Sequence, residues 1–217
     1  MTDLTLIRHG QANSGARDEA SYDRLSDRGH RQARWLGAHL APLGRFDRVI
    51  SGTLRRQRET AAGLNPGDWP HDTDPRLNEL DYFGLSHALR DNHGVPFPDN
   101  PASFAAHVPQ VLDLWRSGGQ PAGLETYADF RARIMAALHD AAAGPGRPLL
   151  VTSTGVIATL TAIALDLDTA AKSRMFLAVA HTSVHRFALR GDALHLVQFG
   201  ATPHLDTADR AADRTFV

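Results

Sequence analysis

The segment Leu4-Thr5-Leu6-Ile7-Arg8-His9-Gly10-Gln11 is the starting point for a prediction of the fold. Its mostly apolar first half predicts a short buried strand, which a cation, an imidazole and a glycine follow directly. Open α/β sheets bind ligands at the carboxyl ends of their strands, so we expect Arg8 and His9 to face a ligand there. Gly10 is expected to allow a sharp turn and a close approach of the ligand to the backbone. An isolated Arg-His-Gly more often begins a solvated loop, so this interpretation depends on the segments downstream.

Composition narrows the class of protein. The chain has 217 residues, a formal net charge of -1 and no cysteine. A globally basic nucleic-acid binder is therefore not expected, and the cysteine count excludes disulfides, thiolate zinc sites and cysteine nucleophiles. The apolar run at residues 4–7 is too short for a signal sequence or a membrane span. We expect a cytoplasmic protein with neither a nucleic-acid nor a membrane partner.

Strand and helix patterns alternate along the chain, which predicts a parallel sheet covered on both faces. Ser26 is the predicted N-cap of the first helix, whose buried stripe includes Ala33, Leu36 and Leu40. A second helix over 53–63 is expected to be capped by Thr53 or Ser51. The other predicted elements are strands over 46–51, 148–153, 183–189 and 193–199, and helices over 126–143 and 155–165.

Residues 65–123 depart from this alternation, because prolines and glycines are frequent there. One helix is predicted inside the segment, over 101–115. The aromatic residues of the segment bring too much apolar surface for a disordered linker. We therefore expect a partly helical insertion over the carboxyl edge of the sheet. The whole chain, 1–217, is predicted to form one domain, a three-layer α/β/α sandwich with a mostly parallel central sheet.

A basic segment follows the second predicted strand. Residues 51–61 read Ser-Gly-Thr-Leu-Arg-Arg-Gln-Arg-Glu-Thr-Ala. The N-terminus of a helix suits a phosphate group, and arginine provides a fork that matches phosphate oxygens. Arginines on a helix more often form a solvated face, to which we assign Arg55 and Arg58. The position of Arg56 makes it the candidate phosphate ligand.

Together these motifs resemble the histidine phosphatase superfamily, the phosphoglycerate-mutase-like group. The resemblance is carried by residues 8–11, by residues 25–29 (Leu-Ser-Asp-Arg-Gly) with Gln32-Ala33, and by residues 51–61. Residues 77–80 (Leu-Asn-Glu-Leu) look like the family's acid-donor segment, and residues 148–157 look like its last catalytic strand and turn. The match covers essentially the whole chain and is most similar to a bacterial branch.

The resemblance implies a phosphomonoesterase that acts on a small phosphorylated substrate without a metal or another cofactor. His9 matches the family's nucleophile, which becomes phosphohistidine. Arg8 and Arg56 match the two arginines that hold the phosphate oxygens. Glu79 matches the general acid, a task that calls for a raised pKa, and nearby Asp81 is the alternative. No two histidines have a spacing that supports a metal site.

One position departs from the family pattern. The family has a second histidine after the third strand, in a His-Gly-Gly turn, whereas this chain has Ser153 there. A serine hydroxyl can donate one hydrogen bond to phosphate but brings no positive charge. By analogy with a deleted oxyanion-hole donor, we expect a rate lower by about a hundredfold or more. The helix N-terminus at Gly155 would still contribute N–H groups.

Two further questions concern residues around the predicted pocket. Four histidines follow the third strand, at positions 181, 185, 195 and 204, and His204 is considered as a replacement for the missing one. Such histidines are more often surface or half-buried residues with a local partner, so we expect no replacement. Asn13 could touch phosphate or substrate, although an asparagine in a Gly/Ser loop more often serves turn chemistry.

Three other functions stay open at this point. A non-catalytic phospholigand-binding protein would keep the pocket and lose turnover, and Ser153 favours it, although a pure binder needs no nucleophile and acid together. A phosphoglycerate-mutase-type phosphotransferase usually has a larger insertion. An unrelated α/β binding domain would not bring His9 and Arg56 together. For the oligomeric state, a homodimer is left open.

Overall fold

A six-stranded sheet forms the centre of the protein. The structure is a computed structural model that describes residues 2–13, 16, 18–44, 46–65 and 69–216. The strands are β1 (Thr2–Arg8), β2 (Arg48–Ser51), β3 (His71–Thr73), β4 (Pro148–Thr152), β5 (Val184–Arg190) and β6 (Ala193–Ala201). Their order across the sheet is β3-β2-β4-β1-β5-β6. The β3–β2, β2–β4 and β4–β1 pairings are parallel, and the β1–β5 and β5–β6 pairings are antiparallel, which confirms the mostly parallel sheet.

Helices cover both faces of this sheet. They are α1 (Glu19–Tyr22), α2 (Asp27–Leu40), α3 (Arg55–Leu64), α4 (Tyr82–His93), α5 (Pro101–Arg116), α6 (Tyr127–Ala143), α7 (Thr154–Leu165) and α8 (Thr169–Ala178). Leu36 and Leu64 of α2 and α3 pack with Ile7 on one face. Leu4 and Leu6 belong to the larger core on the other face, as the alternation along a strand requires. The predicted three-layer sandwich is therefore confirmed. Within the described ranges, no helix has the length and apolar character to cross a membrane.

The predicted helix caps have mixed outcomes. The hydroxyl of Ser26 accepts a hydrogen bond from the Gly29 N–H at 3.1 Å, as predicted for the N-cap of α2. The predicted cap of α3 by Thr53 or Ser51 is wrong. The carboxylate of Asp23 accepts hydrogen bonds from the first two N–H groups of α3, at 2.9 and 3.0 Å. Asp23 is more than 30 residues from α3 in the sequence, so no local sequence pattern predicts this cap.

The segment 65–123 contains more regular structure than the single helix predicted there. That helix is present as α5, but β3 and α4, which were not predicted, also lie in the segment. Outside the segment, α8 was not predicted either. All three residues of β3 are exposed, so this edge strand has no apolar pattern to reveal it. Residues 66–68, which belong to the predicted insertion, lie outside the described residues, as do residues 1 and 217 of the predicted domain.

Gly10 and Gly29 allow the loop after β1 to pack against the start of α2. A Cβ atom on Gly10 would lie 2.7 Å from the Gly29 carbonyl oxygen, and one on Gly29 would lie 2.9 Å from the Gln11 nitrogen. Gly10 does not have a positive φ angle, so a left-handed conformation is not the reason for a glycine here. Its small size instead permits the close approach of α2.

We expect Gly29→Ala to destabilise the protein. Alanine is the better helix former by about 1 kcal/mol, so local propensity alone predicts a gain. Because the new Cβ would meet the main chain of Gln11, the free energy of unfolding should instead fall by about 1–3 kcal/mol. Urea denaturation followed by circular dichroism measures this change, with the exposed Arg34→Ala as control. An unchanged midpoint for Gly29→Ala would contradict the contact.

Candidate active site

His9 lies immediately after β1, and only 2% of its surface is exposed. Its backbone N–H donates to the Thr152 carbonyl at 2.9 Å, which extends the β1–β4 pairing by one residue. The ring nitrogen Nδ1 lies 2.8 Å from the Gly10 carbonyl oxygen, to which it donates its hydrogen. Burial, followed by the charges of Arg56 and Arg8, lowers the pKa of His9 well below its usual value. The imidazole is therefore neutral, and Nε2 carries a lone pair.

Two buried guanidinium groups lie beside His9. Arg8 is 5% exposed and Arg56 is 1% exposed. The Nη1 atom of Arg8 donates to the Val179 carbonyl and to the Phe216 carbonyl. Burial lowers the pKa of Arg8, while the charge of Glu79 acts in the opposite direction. The charges of these two buried arginines make the surroundings of the His9 imidazole positive.

Arg56 contacts a short acidic helix that the sequence did not predict. Its Nη1 atom lies 2.5 Å from Glu19 Oε1 and 3.1 Å from Asp23 Oδ1. The guanidinium also lies 4.9 Å from the centre of the Tyr22 ring, and that ring is edge-on to His9 at 6.4 Å between centroids. The sequence signal that could have indicated this contact is Tyr22, which lies between the acidic residues Glu19 and Asp23.

Glu79, the predicted general acid, lies close enough to Arg56 and Arg8 for their charges to act on its carboxyl group. Its carboxylate accepts the backbone N–H of Gly155 at 2.9 and 3.0 Å. Burial raises the pKa of Glu79, although the Gly155 hydrogen bond and the charges of Arg56 and Arg8 oppose the shift. The alternative, Asp81, instead caps α4 by accepting the Gly84 N–H at 2.8 Å. The geometry therefore favours Glu79 over Asp81 as a proton-holding group.

Ser153 is fully buried and follows β4 as His9 follows β1. The register pairs Arg8 with Thr152, so residue 153 stands next to His9. The Ser153 hydroxyl accepts a hydrogen bond from Gln57 Nε2 at 2.8 Å, and the same nitrogen donates to the Leu77 carbonyl at 3.1 Å. Gln57, to which the sequence analysis gave no role, thus links α3, the Glu79 segment and the turn after β4.

The histidines that follow β4 have different environments. His181 is 1% exposed, and its ring lies against that of His9, with centroids 5.9 Å apart. His204, the residue considered as a replacement, instead forms a hydrogen bond with the Thr182 hydroxyl at 2.8 Å. His185 contacts the Ser183 hydroxyl at 2.8 Å. The histidine beside His9 is therefore His181 and not His204, the one considered from the sequence.

Asn13 belongs to a turn and not to the group around His9. Its side-chain nitrogen donates to the Ser21 carbonyl at 2.9 Å, and its backbone N–H donates to the Arg24 carbonyl at 3.1 Å. These contacts connect the two ends of the segment that leads into α2. The commoner use of such an asparagine, in turn chemistry, is the one observed.

The arrangement combines a neutral imidazole, two fixed cations and a carboxyl group with a raised pKa. Such a set can bind a phosphate group, offer it a nucleophile and supply a proton. Over the part of the chain that the structure describes, no three His, Asp or Glu side chains are grouped to hold a metal ion.

Comparison with known proteins relates this chain to phosphatases. Serine/threonine-protein phosphatase Pgam5 of Drosophila virilis is 34% identical over 121 residues, which are 54% of this chain and 37% of that protein. Its counterpart in Drosophila persimilis is 31% identical over the same lengths. The chain thus spans little more than a third of these relatives.

Solved structures share the fold over nearly the whole chain. Bacillus stearothermophilus YhfR has a TM-score of 0.69 at 22% identity and covers 94% of this chain and 99% of its own. A phosphoserine phosphatase mutant from Entamoeba histolytica, solved with phosphoserine, has a TM-score of 0.68 at 20% identity, covering 94% and 100%. A mycobacterial glucosyl-3-phosphoglycerate phosphatase has a TM-score of 0.64 at 25% identity, covering 92% and 99%.

The family is established by a match that spans most of the sequence. Residues 4–202 match the family described as the histidine phosphatase superfamily (branch 1). This range includes most of β1 with His9, the start of α3, the Glu79 segment and the turn after β4. The resemblance seen in the sequence motifs is thereby confirmed. The chain belongs to branch 1 of the histidine phosphatase superfamily.

Proposed function

We propose that this chain hydrolyses small phosphomonoesters through a phosphohistidine on Nε2 of His9. The observation that carries the proposal is the 2.8 Å contact of Nδ1 with the Gly10 carbonyl, which leaves the Nε2 lone pair for attack. The buried cations Arg8 and Arg56 beside that ring support binding of a phosphate group. Membership of the family, together with relatives that are phosphatases, supports phosphatase chemistry in general.

In the first step, the Nε2 lone pair of His9 attacks the phosphorus atom, and the bond from phosphorus to the leaving oxygen breaks. Glu79 gives its proton to that oxygen, so the alcohol leaves uncharged. The raised pKa of Glu79 favours the protonated form that this step needs. Arg8 and Arg56 stabilise the negative charge on the phosphoryl oxygens as it redistributes.

In the second step, water attacks the phosphorus atom of phosphohistidine. The carboxylate of Glu79 accepts a proton from that water, the phosphorus–nitrogen bond breaks, and inorganic phosphate leaves. His9 returns to its neutral form, which its surroundings favour. One carboxyl group thus serves as acid and then as base, so each cycle ends with the starting protonation states.

The identity of the substrate is proposed only as a class. Relatives are named for quite different substrates, among them proteins phosphorylated on serine or threonine, phosphoserine and glucosyl-3-phosphoglycerate. In the proposed mechanism the buried arginines and His9 bind the phosphate group, which all of these substrates share. A panel of phosphoserine, a phosphoserine peptide and an aryl phosphate would therefore rank small substrates against protein substrates.

A phospholigand-binding protein without turnover is the second candidate function. Ser153 supplies no positive charge where the family has a histidine, and Arg56 is already paired with Glu19 at 2.5 Å. Both features weaken the stabilisation of a transition state. Binding of inorganic phosphate without hydrolysis of any ester in the panel would select this function over the first.

His9→Ala should abolish turnover of an activated aryl phosphate, because it removes the proposed nucleophile. Wild type, quenched with acid or alkali during turnover of a phosphorus-32 ester, should retain label that is stable in alkali and lost in acid. The exposed His195→Ala on β6 serves as the matched control and should keep both activity and label. Label retained by His9→Ala would contradict the assignment of the nucleophile.

Glu79→Gln should affect substrates according to their leaving groups. For phosphoserine, whose alcohol needs a proton, we expect kcat/KM to fall by about 10²–10⁴-fold. For an aryl phosphate with a stable phenolate, the loss should be much smaller. Because burial raises the pKa of Glu79, wild-type kcat/KM for phosphoserine should decline as pH rises through that pKa, and the variant should lack this decline. Equal losses for both substrates, with Asp81→Asn as control, would contradict the acid role.

Glu19→Gln should lower KM for a phosphomonoester. The side chain of Glu19 is 42% exposed and lies 2.5 Å from Arg56, so it competes with an incoming phosphate for that guanidinium. Because the Glu19 carboxylate is partly solvated, we expect a modest change in KM, about two- to fivefold. Asp192→Asn, an exposed change of equal charge on the β5–β6 turn, controls for net charge. A higher KM for Glu19→Gln would show that Glu19 positions Arg56 instead.

A further inference from the structure

We infer that His181 supplies the second histidine of this site, with its Nε2 donating a hydrogen bond to the phosphoryl group at His9. The inference rests on the proposed function and adds a phosphate-binding residue to it. The two ring centroids are 5.9 Å apart and the ring planes are inclined by 53°. Both residues are almost fully buried, so the rings share one enclosed environment.

The sheet explains how a donor at position 181 can replace one at position 153. β1 lies between β4 and β5. On the β4 side, His9 donates its N–H to the Thr152 carbonyl at 2.9 Å, and Ser153 follows. On the β5 side, Thr182 donates its N–H to the Arg8 carbonyl at 3.1 Å, and His181 precedes it. Positions 153 and 181 therefore flank His9 from its two neighbouring strands.

Thr215 fixes the His181 ring through one of its two nitrogens. The His181 backbone N–H donates to the Thr215 carbonyl at 2.8 Å. Nδ1 of the ring lies 3.0 Å from that carbonyl oxygen and 2.9 Å from the Thr215 hydroxyl. The hydroxyl can donate to an unprotonated Nδ1, and the carbonyl can accept from a protonated one. In the tautomer with hydrogen on Nε2, and in the imidazolium, Nε2 can donate to phosphate.

The Nε2 atoms of His9 and His181 are both available to a ligand. In both rings Nδ1 is engaged, while no described residue forms a hydrogen bond with Nε2. A phosphoryl group bonded to Nε2 of His9 would offer Nε2 of His181 the acceptor oxygen that these residues do not provide.

The backbone next to His181 has an unusual conformation that the surroundings maintain. Thr182 has a φ angle of +56°, which is rare for a β-branched residue. Its hydroxyl contacts the His181 carbonyl at 2.7 Å and His204 Nε2 at 2.8 Å. Residues held in such conformations concentrate at functional sites. Here the conformation accompanies the turn that leads from His181 into β5.

The charges around His181 favour an anion beside it. Burial, the charge of Arg8 and the neighbouring His9 lower the pKa of His181 well below its usual value. A phosphate dianion at His9 opposes these effects, because it brings negative charge to the same place. Phosphate binding therefore favours the protonated ring, and a protonated ring binds phosphate more strongly.

Two substitutions separate the chemical role of His181 from a structural one. In His181→Asn the amide takes the place of Nδ1, so the contact with Thr215 can persist while Nε2 is lost. In His181→Gln the amide reaches the place of Nε2 while the contact with Thr215 is lost. We expect His181→Asn to weaken binding of inorganic phosphate about tenfold and to lower kcat/KM about a hundredfold, with His181→Gln less affected in both. The opposite order, or His181→Asn within twofold of wild type, would overturn the inference.

Restoring a histidine on the β4 side provides a rescue test. Ser153→His should raise kcat/KM of His181→Asn by at least about tenfold, because a donor returns to the phosphoryl group from the other strand. A purely structural loss at position 181 would not be repaired from position 153. Thermal unfolding of each variant, followed by circular dichroism, confirms that the variants compared are folded.

Calorimetric titration with inorganic phosphate separates this inference from the proposed hydrolysis. If wild type binds phosphate without turnover and His181→Asn binds it about tenfold more weakly, hydrolysis is wrong and the assignment of His181 is supported. If wild type hydrolyses esters and His181→Asn matches it in binding and turnover, the assignment is wrong and hydrolysis is supported. If wild type neither binds phosphate nor turns over, both are wrong.

Discussion

The hydrogen bond from the His9 N–H to the Thr152 carbonyl is the contact that organises this site. It continues the parallel pairing of β1 and β4 beyond the last paired residues, Arg8 and Thr152. Residue 153 must therefore stand next to His9, whatever its side chain. Arg56 and Glu79 come from α3 and from the segment before α4. Residues 153 and 181, in contrast, flank His9 from the sides of β4 and β5, because Thr182 donates its N–H to the Arg8 carbonyl. Their relative positions are set by the sheet, which is more rigid than a set of loops.

Burial of Arg8 and Arg56 beside an imidazole has a cost that the surroundings offset in part, because Nε of each arginine has no hydrogen-bond partner among the described residues. A buried charge is costly unless partners satisfy it. The carbonyls of Val179 and Phe216 serve Arg8, and the acidic residues of the α1 segment serve Arg56. Burial lowers the pKa of His9 most, and the same two cations lower it further, so the charge that would bind phosphate also helps to keep the imidazole neutral. Anion binding and a free lone pair thus have a common cause.

The sequence predicted those features of the fold that depend on local apolar periodicity. The apolar run of β1 and the apolar stripe of α2 are buried as expected. The capping of α3 by Asp23, the bridging by Gln57 and the position of His181 depend on residues far apart in the chain, so no periodicity reveals them. Motif resemblance brought His9 and Arg56 into one predicted site, and the structure places them together; their roles stay predictions.

The two carboxylates on Arg56 are not equivalent, and the difference bears on which anions the site would accept. Asp23 also accepts two backbone N–H groups at the start of α3, so displacing it would expose a helix end. Glu19 is more exposed, and its one side-chain hydrogen bond to a described residue is the one to Arg56. An incoming phosphate would therefore replace Glu19 and leave Asp23 in place. A monoester dianion brings one more negative charge than the carboxylate it displaces, whereas a diester monoanion brings none. We therefore expect this exchange to favour monoesters over diesters.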